Sequence, residues 1–215
     1  MPSLYQPLSS ASHQIRRLSV SAGEFDQPLC GSLDVVSLDD SPQYEALSYV
    51  WGENLALTPM VLDNVKVEIT ENLDIALRYL RRRDKERVLW VDAICIDQSN
   101  FDERAQQVKF MRAIYHSSST VLVWLGPPIN DSDVAMKSIA DFNKDYWQTL
   151  DFQIQFMDIL YQPWFTRIWV VQEFVLGQND LLVGCGYQWV NWLSFIAAWA
   201  HFADNMKVIH EEYIH

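Results

Sequence analysis

The chain has 215 residues, of which 49% are hydrophobic and nine are tryptophan, and its formal net charge is −12. That length and apolar content suffice for one large domain with a packed core. The acidic balance argues against a protein that wraps nucleic acid or coats an anionic membrane, since both need clustered lysine and arginine. We therefore expect neither nucleic acid nor a membrane among its partners.

Cysteine and histidine usage narrows the class of protein further. Cys30, Cys95 and Cys185 show no paired spacing, which is typical of a reducing compartment. The histidines form no metal-ligand motif, and there is no glycine-rich phosphate loop or nucleophile elbow. The start of the chain lacks the pattern of a signal peptide, and no apolar run is long enough to cross a membrane. These patterns predict a soluble cytoplasmic protein without a metal or a resident cofactor.

Short strands and tight turns are predicted in the first third of the chain. Residues 14–20 and 33–38 alternate in polarity and indicate a hairpin. Asp63-Asn64 separates two apolar runs within residues 60–69 and predicts a second hairpin. Residues 44–50 form a further predicted strand, which delivers its tip into a loop at Trp51 and Gly52.

Helix signals alternate with apolar runs in the middle of the chain. Thr70 is a predicted cap for a helix with Leu73, Ala76, Leu77 and Leu80 at helical spacing. Residues 88–96 are almost continuously apolar, which predicts a strand buried on both faces and places Asp92 inside it. Residues 120–125 predict another buried strand.

A second helix is predicted over residues 101–117. Asn100 and Glu103 have the spacing of a capping pair at its start. Val108, Met111 and Tyr115 would then face the core. Arg104 lies early in this helix, where a cation is unfavourable, so we expect it to pair with Asp97 or with a ligand phosphate.

The last part of the chain completes an alternating pattern. Residues 129–160 predict a polar loop with one or two amphipathic helices, residues 163–176 predict a helix, and a short strand then leads to a tryptophan-rich helix at about 191–203. Strands that alternate with helices favour an α/β domain with a mainly parallel central sheet. Ligands of such sheets bind beyond the carboxyl ends of the strands.

One carboxylate stands out in the predicted helix 163–176. Pro163 suits the first helical position, Gly177 suits a left-handed cap, and Glu173 lies at the edge of the apolar face about 40° beyond Trp169. A carboxylate there can meet a ligand on the same surface. The ordinary alternative is a glutamate at a solvent boundary.

The strand-end rule selects two loops that, with this helix, would surround one cleft. The strand at 44–50 ends in the loop 48–53, and the strand at 88–96 ends at residues 97–100. Asp92 and Asp97 have no metal-ligand companions, so we assign them structural or capping roles. Cys95 lies in an apolar run without a histidine partner and is interpreted as a core residue.

Five blocks of sequence resemble, in order and spacing over roughly residues 13–200, the successive blocks of the fungal HET (heterokaryon incompatibility) domain. The resemblance implies a role in non-self recognition and programmed cell death, usually as the effector part of a larger protein. It divides the chain into an extension (1–12), the HET domain (13–203) and a tail or the start of a following segment (204–215). The blocks are residues 44–52 (YEALSYVWG), 89–98 (LWVDAICIDQ), 103–108 (ERAQQV), 121–126 (VLVWLG) and 167–173 (RIWVVQE).

Three parts of the chain are also similar to TIR domains. The first block resembles their first strand and loop, and residues 96–98 (IDQ) with the helix and apolar strand that follow resemble their middle. The last block resembles their Trp-Cys-x-x-Glu helix, with Val170 in place of the cysteine. This resemblance implies a flavodoxin-like sheet flanked by helices, here with added amino-terminal hairpins and a helical insertion. It also implies cleavage of the nicotinamide to ribose bond of NAD, which would be a substrate and not a cofactor. Glu173 would be the catalytic carboxylate. The substrate would be bound by Ser48, Tyr49, Trp51, Gly52, Asp97, Gln98 and Trp169.

A competing interpretation is a non-enzymatic death-signalling module that acts by self-association or by recruiting partners. TIR-like enzymes themselves often need assembly before they are active. Both interpretations therefore predict a homo-oligomer and other recognition proteins as partners.

Overall fold

The computed structural model describes residues 4–9, 12–52, 56–166 and 180–212, with side chains described as far as residue 205. Two short 3-10 turns, Leu38–Asp40 and Pro163–Thr166, accompany the regular elements. The strands are β1 (Gln14–Val20), β2 (Cys30–Ser37), β3 (Glu45–Ser48), β4 (Leu57–Leu62), β5 (Val65–Thr70), β6 (Arg87–Trp90), β7 (Thr120–Gly126), β8 (Asp180–Cys185) and β9 (Gln188–Asn191). The helices are α1 (Glu71–Leu80), α2 (Asp92–Cys95), α3 (Phe101–Ser117), α4 (Ser132–Ala140), α5 (Lys144–Trp147), α6 (Leu150–Leu160) and α7 (Trp192–Glu212).

The nine strands of these ranges form one sheet in the order β5-β4-β2-β1-β6-β3-β7-β8-β9. β6, β3, β7 and β8 run parallel to one another. The pairs β1–β2, β1–β6, β4–β5 and β8–β9 are antiparallel. The α/β class is confirmed, but the prediction of a mainly parallel sheet was wrong. The β1–β2 hairpin pairs with β6 and the last strand pairs with β8, at the two edges of the parallel group, while the β4–β5 hairpin extends the sheet through a parallel contact of β4 with β2. The whole sheet is therefore mixed.

The four parallel strands have an order that reverses at β3. Taken along the chain they are β3, β6, β7 and β8, and in space β6 lies on one side of β3 while β7 and β8 lie on the other. The loops after strands on the two sides of such a reversal diverge, which opens a crevice at the carboxyl ends of the strands. In this sheet the crevice is expected at the end of β3.

Both predicted hairpins are confirmed. β1 and β2 pair in register from Gln14 opposite Ser37. Between β4 and β5, Asp63 and Asn64 have φ angles of 49° and 64°. A two-residue type I′ turn requires this left-handed pair, and aspartate and asparagine tolerate it because their short polar side chains bond locally.

The caps predicted for α1 and α3 are present. The Thr70 hydroxyl accepts a hydrogen bond from the Leu73 N–H at 3.4 Å, and the Asn100 side chain accepts from the Glu103 N–H at 3.1 Å. These contacts satisfy N–H groups that the first turn of a helix leaves unpaired. Helix α3 spans the predicted residues.

The inward face predicted for α3 is only partly correct. Tyr115 is buried, but Val108 is 45% exposed. The buried positions near the start of the helix are polar instead, because Glu103 pairs with Arg16 and the Gln107 amide donates to the Gln14 carbonyl at 2.9 Å. Polar partners on β1 therefore determine which face of α3 is buried.

The prediction of one long strand over residues 88–96 was wrong. β6 ends at Trp90, and the chain turns into the short helix α2 with Asp92 at its start. The Ala93 N–H donates to the Asp92 carboxylate at 2.7 Å, and the Cys95 N–H donates to the Val91 carbonyl at 2.7 Å. An apolar run of this kind can be buried equally well as a strand or as a turn. Here Asp92 starts a helical turn.

Apolar side chains cover both faces of the sheet. On one face Trp124 of β7 packs against Tyr79 of α1, with ring centroids 5.0 Å apart. On the other, Val123 and Leu125 of the same strand are buried with the helices α4 to α7. The predicted polar loop with one or two helices is thus three helices, α4, α5 and α6. Among the residues described, no helix is long and apolar enough to cross a membrane.

Candidate functional site

The loop after β3 carries an exposed indole at the carboxyl edge of the sheet. Trp51 is 42% exposed, and Gly52 has a φ of 85°, a left-handed conformation that favours glycine. The Asn72 amide of α1 donates to the Val50 carbonyl. Helix α1 and a glycine thus fix the direction in which the indole leaves the strand.

The loops after β3 and β6 meet at Asp92. The Trp51 indole N–H donates to the Asp92 carboxylate at 3.0 Å, and the Gln98 amide donates to the Asp92 carbonyl at 2.9 Å. Asp92, to which we assigned only a structural role from the sequence, therefore joins two predicted site residues, Trp51 and Gln98. Its position directly after a buried strand, at the edge where β3 ends, was the signal that could have identified it.

The segment that leads towards Glu173 begins under the end of β3. Trp164, in the 3-10 turn Pro163–Thr166, is 1% exposed. Its indole N–H donates to the Ser48 hydroxyl at 2.9 Å, a buried contact between residues 116 positions apart. The described turn Pro163–Thr166 is thus tied to the end of β3.

Two predicted substrate contacts lie below the surface of this edge. Ser48 and Tyr49 are 1% and 2% exposed, and Ser48 already holds Trp164. In this conformation their side chains support the Trp51 loop from beneath, while Trp51 presents its ring to solvent.

The Asp97 carboxylate forms hydrogen bonds within its own turn. Its carboxylate accepts from the Ser99 N–H at 3.0 Å and from the Ser99 hydroxyl at 2.6 Å, the pattern of an Asx turn. The expected pairing with Arg104 is wrong. Arg104 is exposed and its guanidinium lies 5.0 Å from the ring centroid of Phe101.

A buried ion pair holds the backbone that carries Asp97 and Gln98. Arg16 and Glu103 are 1% and 8% exposed and form two hydrogen bonds of 2.6 and 3.0 Å. Arg16 also donates to the Cys95 carbonyl at 3.1 Å, and Glu103 accepts from the Asp97 N–H at 2.8 Å. A doubly bonded pair of this geometry makes the loop after α2 rigid. Sequence reasoning missed it because the partners are 87 residues apart.

Two site predictions lie outside the described residues. Glu173, the predicted catalytic carboxylate, and Trp169, a predicted substrate contact, belong to residues 167–179, which the structure does not describe.

The described cysteines are free thiols without the features of a nucleophile. Burial raises the pKa of the Cys95 thiol to about 12, so the thiolate is scarce near neutral pH. Burial also raises the pKa of the Cys185 thiol, opposed by a hydrogen bond with Ser132. Cys95 is a core residue, as the sequence indicated.

The chemical character of the edge is a flat aromatic surface beside a carboxylate. Over the described ranges, no group of three or more histidine, cysteine, aspartate or glutamate side chains could hold a metal ion. The Trp51 ring, held by Asp92, offers a π-face next to a negative charge. A planar cationic ring is the ligand that such a surface suits best.

Comparison with known proteins gives the family. The family described as "Heterokaryon incompatibility protein (HET)" matches residues 44–173, more than half of the chain. These residues run from the strand before Trp51 through the two loops and α3 to Glu173. The mixed α/β domain described above belongs to this HET family, which confirms the resemblance seen in the sequence.

One named relative is Heterokaryon incompatibility protein 6, OR allele, of Neurospora crassa. The two are 30% identical over 237 residues, which cover 86% of this chain and 35% of the relative. The chain thus spans about a third of the length of that protein. No solved structure matches the chain.

Proposed function

We propose that the chain is the cell-death effector domain of a fungal non-self recognition protein and that it acts as an NAD⁺ glycohydrolase. The family match supports the first part, since the matched relative is a heterokaryon incompatibility protein. The observation that carries the second part is the Trp164–Ser48 hydrogen bond. It holds the turn Pro163–Thr166, which precedes the segment of Glu173 in the chain, against Ser48 at the end of β3.

The strand order also supports a TIR-like domain within the mixed sheet. If the four parallel strands are numbered first to fourth along the chain, their order across the sheet is second, first, third, fourth. Flavodoxin-like domains begin with this order, and they bind ligands beside their first strand. The first parallel strand here is β3, whose tip carries Trp51.

The proposed reaction breaks the bond between the ribose C1′ and the nicotinamide nitrogen. The bonding electron pair leaves with nicotinamide, which becomes neutral, and the ribose acquires oxocarbenium character. Water adds to C1′ and releases a proton, so the products are ADP-ribose, nicotinamide and H⁺. A carboxylate near the ribose stabilises the positive charge of the transition state, and this role is proposed for Glu173.

The described residues supply binding and orientation. The Trp51 ring would stack on the cationic nicotinamide, and the Asp92 carboxylate that holds it adds negative potential on the same side. Gly52 lets the backbone approach the ligand closely. Asp97, Gln98 and Trp169 are proposed to complete the contacts, with Ser48 and Tyr49 supporting the loop.

Expression of the chain in fungal cells tests the two parts together. We expect NAD to fall before viability is lost, and we expect neither change with Glu173→Ala or Glu173→Gln at equal protein levels. Glu68→Gln, at an exposed position of β5, is the matched control and should behave as the unmodified chain. Death at constant NAD would reject the enzymatic part while leaving the effector role.

A non-enzymatic signalling module is the second candidate function. The observation that favours it is the set of exposed apolar side chains on α7, which include Leu193 and Trp199. It predicts that toxicity persists in the Glu173 variants and is lost in variants of this helix surface.

A further inference from the structure

Strand β2 has an open edge beyond its contact with β4. The two strands pair at residues 30–31 and 61–62, and among the residues described no strand pairs with that edge of β2 beyond Gly31. The open stretch, residues 32–37, is about 20 Å long at about 3.3 Å per residue. Natural sheets often guard such an edge with lysine or proline, but the sequence SLDVVS contains neither.

The backbone groups of Val35 point out of this open edge. The Asp63 N–H donates to the Gly31 carbonyl at 3.0 Å, and the Leu33 N–H donates to the Asp63 carboxylate at 3.1 Å. Gly31 and Leu33 thus face the side of β4. Because successive residues of a strand alternate, the N–H and C=O of Val35 face the same side. The edge therefore presents the Leu33 carbonyl, the Val35 N–H and the Val35 carbonyl to an incoming strand.

A cavity of about 410 Å³ lies beside the open edge. Arg16 also lines it, but this guanidinium is already paired with Glu103, so the cavity does not require an acidic ligand. The space is large enough for an apolar side chain of an added strand. Four of the lining side chains are apolar, namely Leu4, Leu33, Val35 and Val65.

Charge selects the partner for this edge. Asp63 is exposed at one end of the open stretch, and Asp40 is exposed just past the other end. Nearby cations do not offset them, because Arg17 is paired with Asp34 and Lys66 points away from the cavity, next to a residue that lines it. A second copy of the chain, with its net charge of −12, would bring like charge to this edge. A segment with lysine or arginine about six residues apart would place a cation at each end.

We propose that the open edge of β2 binds an extended basic segment of another protein as an added strand. Backbone groups of the segment pair with Leu33 and Val35, and one of its apolar side chains enters the cavity beside them. Basic side chains at its two ends face Asp63 and Asp40. Strand addition takes its affinity from main-chain hydrogen bonds and its specificity from pockets for alternate side chains. The interface lies on β2 and stands independently of the proposed reaction.

Fluorescence anisotropy with the labelled, end-capped peptide Lys-Thr-Val-Thr-Leu-Thr-Lys tests this interface on the unmodified protein. We expect saturable binding, and a Kd at least about tenfold higher when both lysines of the peptide are replaced by glutamate. N-methylation of the peptide separates strand pairing from charge, because alternate N–H groups of a bound strand face opposite sides. One peptide is methylated at its valine and leucine, and another at two of its threonines. Methylation should raise the Kd of one of these peptides and leave that of the other unchanged.

Amide hydrogen exchange followed by NMR locates the bound peptide. The Val35 N–H should exchange at least about tenfold more slowly in the saturated complex, whereas the Val36 N–H, which faces β1, should keep its rate. The absence of saturable binding, equal effects of the two sets of N-methyl groups, or an unchanged exchange rate of Val35 in the saturated complex would overturn the interface.

Discussion

Single buried hydrogen bonds join distant parts of this sequence at the candidate site. The Ser48 hydroxyl accepts from the Trp164 indole at 2.9 Å inside the protein. Removing one partner of a buried hydrogen bond costs more than the bond itself contributes, because the remaining group has lost both water and its partner. The contact therefore ties the Pro163–Thr166 turn to the end of β3.

We expect Ser48→Ala to lower the free energy of unfolding by about 1 to 3 kcal/mol, because the Trp164 indole loses its Ser48 acceptor. Urea unfolding followed by tryptophan fluorescence measures the change. Ser32→Ala, at an exposed position of β2, is the control and should change the free energy by less than about 0.5 kcal/mol. Equal effects of the two substitutions would show that the Ser48 contact does not hold the turn.

Burial also decides the reactivity of the thiols. The Cys95 pKa is raised by burial from 9.0 to about 12, so only about one thiol in 10⁴ is ionised at pH 8. We expect iodoacetamide at pH 8 to modify half-buried Cys30 well before Cys95 in the folded protein, as measured by peptide mass spectrometry. Modification of both at the same rate would contradict the buried position of Cys95.

The same shift has a consequence for stability. The folded-state pKa of Cys95 lies above its ordinary value of 9.0, so the unfolded chain loses the thiol proton first as pH rises. The stabilisation is complete below about pH 9 and is lost as pH rises towards 12. Cys95→Ala should therefore make the free energy of unfolding fall less steeply above pH 9.

At the scale of elements, β8 and β9 depend on a close approach that only glycine permits. A Cβ at Gly184 would lie 2.5 Å from the Trp189 ring, and Trp189 in turn stacks on Trp124 with centroids 6.2 Å apart. We expect Gly184→Ala to destabilise the protein by about 1 to 3 kcal/mol through overpacking. Combining it with Trp189→Leu should cost less than the sum of the two single changes. Strict additivity in this cycle would rule out the steric explanation.

Local signals made several elements predictable from sequence. The cap at Thr70, the cap at Asn100 and the Asp63-Asn64 turn each act through contacts within a few residues, so each can be recognised without the fold. The predicted hairpins and the span of α3 are correct for this reason.

Long-range pairing was not predictable in the same way. The antiparallel contact of β1 with β6 joins Leu18 to Leu89, and it is one of the contacts that make the sheet mixed. The split of residues 88–96 into a strand and a helical turn depends on burial from both sides, which apolar content alone does not distinguish. The strand-end rule found Trp51 and Gln98, and it would also have found Asp92 if the end of the strand had been placed at Trp90. Trp164 needed the folded chain, because its partner Ser48 is 116 residues away.

At the scale of the whole molecule, the extensions of the sheet leave one edge for function. The hairpins lengthen the sheet beyond β6, and the helices α4 to α7 pack on one face around Val123. The carboxyl edge at the tip of β3 thus carries the Trp51 loop, the Asp92 turn and the contact with the turn Pro163–Thr166.

Release of free nicotinamide from NAD by the purified chain, followed by mass spectrometry at high protein concentration, is the decisive measurement for the proposed reaction. We expect release by the unmodified chain, at least about a hundredfold less with Glu173→Gln, and weaker NAD binding with Trp51→Ala at an unchanged fold. Equal nicotinamide release by the unmodified chain and Glu173→Gln, or none by a protein shown to be folded and assembled, would contradict it.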